Sequence, residues 1–273
     1  MRTAIGDIGR YLQAAPTRQR RSLAANSYLR TTVTPRLAII LPCYNEADGL
    51  CENVYRVYWE LDDLIRQGRV SEDSFLLMVD DGSTDRTWKV IQILNANEPH
   101  RRKAIKLARN YGHQAALFAG MMAVRERVDC AVTMDADGQH GAEVIGKFVE
   151  EFAKGSEIVF GVRKSNPSFL SDLFQWWMGD KIVRNHADFR LVSREAMIRL
   201  VCHDESSLFL RGIFAAMGRP HSIVEYDEKP RTTGRPSYNM VKRLRLAWDG
   251  LTWAYWGPRY SKEPRYQIEQ VLM

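Results

Sequence analysis

Cysteine is scarce in this chain. Four cysteines, at 43, 51, 130 and 202, are spread over 273 residues. None has the close spacing of a zinc site, and four in so long a chain make no disulfide framework, so they are expected as reduced core thiols of a cytosolic protein. Long apolar runs are missing as well. The longest uncharged stretch, 110–124, has 15 residues and includes Asn, His, Gln and Gly. A membrane span needs roughly 18–20 apolar residues, so no transmembrane helix is expected. No apolar run follows the basic N-terminus, which excludes a signal peptide from this reading. There is no Gly-x-Gly-x-x-Gly and no P-loop pattern, which argues against a dinucleotide dehydrogenase and a phosphoryl-transferring NTPase. An obvious Ser–His–Asp or Cys–His arrangement is also absent.

What the chain does have is an ordinary globular composition, 45% hydrophobic and 26% charged, enough for one compact domain. The net charge of +6 is unevenly placed. Residues 1–36 carry seven Arg and one Asp, so the remainder is balanced. Residues 1–35 therefore read as a basic, disordered appendage, suited to an anionic surface if it has a partner at all. Such an arm suits anionic lipid or nucleic acid, but no nucleic-acid partner is expected for the protein.

From residue 36 strands and helices alternate. Leu37–Leu41 is an apolar run of the kind buried on both faces of a parallel sheet. A helix over about 47–67 follows, with Leu50, Val54, Val57, Leu61 and Leu64 on one stripe. Strands are expected at 75–79, 104–107, 130–134 and 158–160, with helices at 85–95, 112–126 and 141–154 between them. Later segments are a strand-like 188–192, helices at 194–202 and 206–217, and a last strand at 223–226. This alternation implies an α/β, doubly wound, mostly parallel sheet with flanking helices, whose polar strand ends gather on one edge.

Three of those strand ends are rich in chemistry. The first reads Pro42-Cys-Tyr44-Asn-Glu46, the second Asp80-Asp81-Gly-Ser-Thr-Asp85, and the third Asp135-Ala-Asp137-Gly-Gln139-His140. Asp135 and Asp137, two carboxylates flanking a small residue, can reach one divalent cation, and Gln139 offers a neutral oxygen. Hard oxygen donors suit Mg²⁺ or Mn²⁺, with open positions left for a diphosphate. A calcium loop would need Gly at 140 and Glu at 146, where His140 and Gly146 stand. At the other two tips Tyr44 can pack on a base, Glu46 can accept from ribose hydroxyls, and one Asp can accept from a base N–H. A plain turn with Ser83 or Asp85 as an N-cap explains the second tip equally simply. His113, His140 and His186 read as hydrogen-bonding, capping or packing residues.

Eight motifs in order resemble a family-2 glycosyltransferase of the polyprenyl-phosphate sugar synthase type over 37–252. They are Leu-Pro-Cys-Tyr-Asn-Glu (41–46), Val-Asp-Asp-Gly-Ser-Thr-Asp (79–85), Arg-Asn-Tyr-Gly-His-Gln-Ala-Ala (109–116) and Met-Asp-Ala-Asp-Gly-Gln-His (134–140). Gly-Val-Arg-Lys (161–164), His-Ala-Asp-Phe-Arg-Leu (186–191), Phe-Leu-Arg-Gly-Ile (209–213) and Leu-Ala-Trp-Asp-Gly-Leu-Thr (246–252) complete the set. The resemblance implies a GT-A, Rossmann-like catalytic domain over 36–230. It implies an acceptor loop and amphipathic juxtamembrane helix over 231–256, leaving 257–273 as a polar tail. It further implies that Pro42, Tyr44, Glu46 and Asp81 contact the nucleoside, and that Asp135, Asp137 and Gln139 hold Mg²⁺ or Mn²⁺. Arg163 would face the acceptor phosphate, with Asp188 and Arg190 beside the reacting groups, so that Asp137, Arg163, Asp188 and Arg190 form the catalytic set.

The expected reaction is inverting transfer of a sugar from a nucleotide-sugar donor, UDP-linked in preference to GDP-linked, to a polyprenyl phosphate. The place implied is the cytoplasmic face of the plasma membrane, with peripheral contact. Each Arg has a plainer reading as the partner of a nearby carboxylate, and Asp188 could be a base, a sugar-hydroxyl acceptor or a partner for Arg190. The sequence departs from the family after residue 252, where membrane helices usually follow. The segment after Arg163 is short and poor in basic residues, and Ser237 stands where Lys is common. A soluble enzyme glycosylating a saccharide and a non-catalytic binder of sugar nucleotides are the alternatives.

Overall fold

A computed structural model of the chain describes residues 34–164, 183, 185–201, 209–229 and 266–273. The N-terminal arm, the aromatic segment 168–178, the 234–238 loop and the stretch 240–256 lie outside the described residues. In chain order the described strands are β1 (Leu37–Cys43), β2 (Phe75–Asp80), β3 (Arg102–Leu107), β4 (Cys130–Thr133), β5 (Ile158–Arg163), β6 (His186–Ser193), β7 (His221–Tyr226) and β8 (Ile268–Leu272). The described helices are α1 (Leu50–Arg66), α2 (Thr87–Asn97), α3 (His113–Val124), α4 (Val144–Ala153), α5 (Arg194–Leu200) and α6 (Leu210–Ala216). All the strands join one sheet in the order β7-β5-β6-β4-β1-β2-β3-β8.

The apolar run of β1 is buried along its whole length because it lies between helices on both faces. Leu37, Ile39, Leu41 and Cys43 face a core completed by α1, α2 and α4. Ala38 and Ile40 face the opposite core, completed by α3, α5 and α6. The two-residue period of the strand assigns alternate side chains to the two layers. From β1 the chain winds outward through β2 and β3, then crosses back to place β4 on the other side of β1. With right-handed crossovers this reversal moves the following helix to the other face, and α3 accordingly packs on the second core. It comes close to β1, since a side chain at Gly120 would start 2.5 Å from Ile40 Cγ2.

The reversal also makes a switch point between β1 and β4, where strands diverge and leave a crevice at their carboxyl ends. Strands β4, β1, β2 and β3 are mutually parallel. Strand β6 runs antiparallel between β4 and β5, so its beginning, not its end, reaches that edge. Strands β5 and β7 run parallel to β4 and deliver Arg163 and Tyr226 there. The strand-like pattern over 188–192 carried no sign of this antiparallel direction. Within the segment read as a polar tail, Ile268–Leu272 forms β8, antiparallel to β3 at the sheet margin. Among the described residues no helix is long and apolar enough to cross a membrane.

The tips of the first three strands are laced together. Asn45, at φ 55°, accepts from Thr84 N–H at 2.9 Å through Oδ1 and donates its backbone N–H to Ser83 Oγ at 3.0 Å. Gly82, at φ +63°, passes so close to the next loop that a Cβ would lie 2.2 Å from the Arg109 carbonyl carbon. Left-handed backbone alone costs a side-chain-bearing residue about 1–2 kcal/mol. Gly82→Ala is therefore expected to destabilise the fold by about 2 kcal/mol or more, read as a lowered midpoint in thermal denaturation. It should also displace the 109–112 loop on which His113 depends.

Candidate active site

The site forms around the end of β4. The antiparallel register pairs Thr133 with Arg190; continued two residues, it sets Asp135 opposite Asp188. The Thr133 hydroxyl fixes this start of β6 by donating to the Asp188 carbonyl at 2.6 Å. His113, the first residue of α3, lies between the two carboxylates. Its Nε2 is 3.3 Å from Asp135 Oδ1 and 3.6 Å from Asp188 Oδ2.

Asp188 is the hub. It is buried, and Gln114 Nε2 donates to its Oδ2 at 3.0 Å. Arg190 grips Oδ1, and Arg211 Nη2 lies 3.3 Å from Oδ2. Burial alone would raise its pKa, but the Arg211 and Arg190 guanidiniums, with His113, hold it well below the usual carboxylate range. Arg190 is only 1% exposed and its guanidinium stacks over Phe214 at 5.1 Å. Burial lowers its pKa to about 10, so it stays a cation at neutral pH. Arg190 pairs with Asp188 from within the fold, as the plainer reading of its sequence position has it. The exposed cation of the cluster is Arg211, about a quarter exposed.

Asp137 is buried, and its Oδ1 accepts the backbone N–H of Gln139 at 3.0 Å across a turn made possible by Gly138 at φ 76°. Gln139 in turn accepts Lys229 N–H at 2.9 Å. Asp135 is a third exposed, and its Oδ1 makes no hydrogen bond even though the His113 ring lies 3.3 Å away. A cavity of about 460 Å³ opens beside this turn, between it and α1, lined by Asp135, Ala136, Gly138 and His140 among others. Among the described residues no three His, Cys, Asp or Glu side chains converge as a complete metal site. The donor chemistry is instead that of an incomplete one. Two carboxylates on one turn, one with an orphaned oxygen, fit a hard cation that takes its remaining ligands from water and a diphosphate.

At the neighbouring tips, Pro42 is buried in β1, and Tyr44 and Glu46 are half-buried just beyond it. Glu46 donates its N–H to Thr87 Oγ1 at 2.9 Å and accepts Leu50 N–H at 3.0 Å, which starts α1. Asp81 is buried at the β2 tip. Its two oxygens accept Tyr111 N–H at 2.8 Å and Gly112 N–H at 2.9 Å, so it clamps the loop that delivers His113. Arg163 reaches the site edge, where its Nε donates to Glu228 Oε1 at 3.0 Å.

Burial pushes the Asp81 carboxyl up to about 6, against the pull of those two N–H groups and His113. A carboxyl raised above its unfolded value of 3.8 takes up a proton on folding in the window between the two. Its contribution to stability is therefore greatest below about pH 4 and is lost as pH rises to 6. In thermal melts, the stability difference between wild type and Asp81→Asn should shift against wild type over that window and stay constant above it.

His113, Gln114 and Arg211 escape a reading of strand ends because they sit on helices that meet Asp188 only through the fold. The signal available was their place inside two of the recurring motifs.

Residues 38–218 match the model of the family described as Glycosyl transferase family 2. A Bacillus subtilis (strain 168) protein named uncharacterized glycosyltransferase YkoT is 39% identical over 233 residues, covering 80% of this chain and 67% of its own length. The prophage bactoprenol glucosyl transferase homolog of Escherichia coli (strain K12) is 28% identical over 227 residues, covering 80% and 71%. Among solved structures, mannosyltransferase PcManGT from Pyrobaculum calidifontis in complex with GDP-Man and Mn²⁺ superposes with a TM-score of 0.52 at 18% identity. That likeness of fold covers 75% of this chain and 59% of that one.

Proposed function

The chain belongs to glycosyl transferase family 2, and on that premise we propose that it moves a sugar from a nucleotide-sugar donor to a polyprenyl phosphate. The donor of choice is UDP-linked, the acceptor is taken up at a membrane surface, and the anomeric centre is inverted. The observation that carries the reading is the meeting of Asp135 and Asp188 around His113 at the carboxyl end of β4. The bactoprenol glucosyl transferases among the relatives support the acceptor.

Asp135 and Asp137, with Gln139, would hold Mg²⁺ or Mn²⁺. When bound, such an ion neutralises charge on a leaving diphosphate, worth several kcal/mol in the transition state. Every other task falls to the chain itself. Tyr44 and Glu46, just beyond β1, would contact the nucleoside. An acceptor phosphate is anionic already and needs no strong base, so Asp188 serves to hold His113, Gln114 and Arg211 in place. Arg211 and Arg163 then offset repulsion between two anionic substrates and align them. Arg163 would share its guanidinium between Glu228 and the incoming phosphate.

The test is an incubation with radiolabelled UDP- and GDP-sugars, a polyprenyl phosphate in detergent, and Mn²⁺. Label should enter the organic phase and EDTA should abolish it. Label only in a water-soluble saccharide would establish the saccharide-acceptor alternative, and donor binding without turnover would establish a non-catalytic binder.

A further inference from the structure

Two buried side chains grip the turn between the aspartates without belonging to the ligand set. From α1, Asn53 Nδ2 donates to the Ala136 carbonyl at 2.8 Å. From the far side of the turn, His140 Nδ1 accepts the Asp135 N–H at 3.2 Å. The peptide groups on both sides of Asp135 and Ala136 are thus pinned, and with them the directions in which Asp135 and Asp137 leave the backbone. The His140 ring is itself fixed, stacked on Phe189 with centroids 4.8 Å apart and edge-on to Tyr226. Because Nδ1 accepts, the neutral ring carries its proton on Nε2, which lies 3.9 Å from Asp135 Oδ2.

Both residues are 4% exposed, and each leaves one polar atom, Asn53 Oδ1 and His140 Nε2, without a hydrogen-bond partner. An unmatched buried polar atom weighs against folding, while the other polar atom of each residue satisfies one backbone group of the turn. Both also line the cavity beside the turn.

We propose that Asn53 and His140 are positioning residues that preset the Asp135–Asp137 turn for its cation, and through it for the donor diphosphate. The inference rests on the metal reading above and concerns residues outside it. Groups that orient metal ligands typically change affinity by about 10–100-fold when removed.

The experiment is a Mn²⁺ titration of the full chain with UDP present, following free Mn²⁺ by electron paramagnetic resonance, with thermal melts alongside. His140→Leu and Asn53→Leu should each weaken Mn²⁺ binding by about 10–100-fold. His140→Asn, whose side-chain oxygen can take over the Asp135 N–H, should recover most of the loss. Folded Leu variants that bind Mn²⁺ as wild type does would overturn the proposal, as would an Asn variant no better than Leu. If His140→Leu does not fold, Asn53→Leu and His140→Asn decide on the same readout. A wild type that binds no Mn²⁺ overturns the metal reading itself, and this inference with it.

Discussion

Asp188→Asn is expected to lower sugar transfer by about a thousandfold or more and to destabilise the fold by about 3–5 kcal/mol. Both effects come from the same geometry. Asp188 is the anion that Arg190 and Arg211 share, and Gln114 donates to it as well. Neutralising it leaves the fully buried Arg190 without its counter-charge, and removing one partner of a buried pair is what makes such pairs costly to break. It also frees Arg211 from its partner and His113 from the position that places it beside Asp135. The two effects can be separated. Adding Arg190→Met to Asp188→Asn should recover much of the stability, because the uncompensated charge goes. Turnover should stay low, because Arg211 and His113 remain unheld. Denaturant unfolding and the transfer assay, run on the single and double variants, read the two quantities independently.

Asp137→Ala is expected to reduce transfer by about a thousandfold with little loss of stability. Asp137 accepts the Gln139 N–H in the turn, a local bond that water can replace. What cannot be replaced is a second carboxylate beside Asp135. One carboxylate leaves a hard cation weakly held, so donor affinity should gain little from Mn²⁺ at concentrations that saturate wild type. Excess Mn²⁺ should restore only part of the rate.

Much of this site was legible in the sequence because parallel strands end where their polar residues begin. The apolar run at Leu37–Leu41 and the clusters after Cys43, Val79 and Thr133 required only that the strands lie side by side, and they do. The glycosyltransferase motifs then gave the family. What the pattern could not carry is contact across the fold. Asp188 lies in a buried apolar-rich strand whose antiparallel register is set by its neighbours. His113 begins a helix that is apolar nearly all round, so its polarity looked like capping or packing. Asp81 also accepts two backbone N–H groups from the loop before α3, a contact its place in the strand end did not announce. Arg190 alternates with apolar residues as a surface-facing strand residue might, but both faces of this sheet are covered. Strand β8 has too few residues, and too many polar ones, to announce itself before it meets β3.

The most direct measurement is calorimetric binding of UDP to wild type and to Asp135→Ala and Asp137→Ala, each with and without Mn²⁺. Wild type should bind UDP at least about tenfold more tightly with the ion, and both variants should lose that gain while keeping the weak metal-free affinity. Equal affinity for UDP with and without Mn²⁺ in wild type, or an undiminished gain in either variant, would contradict the assignment of the β4 turn as the place where cation and diphosphate meet.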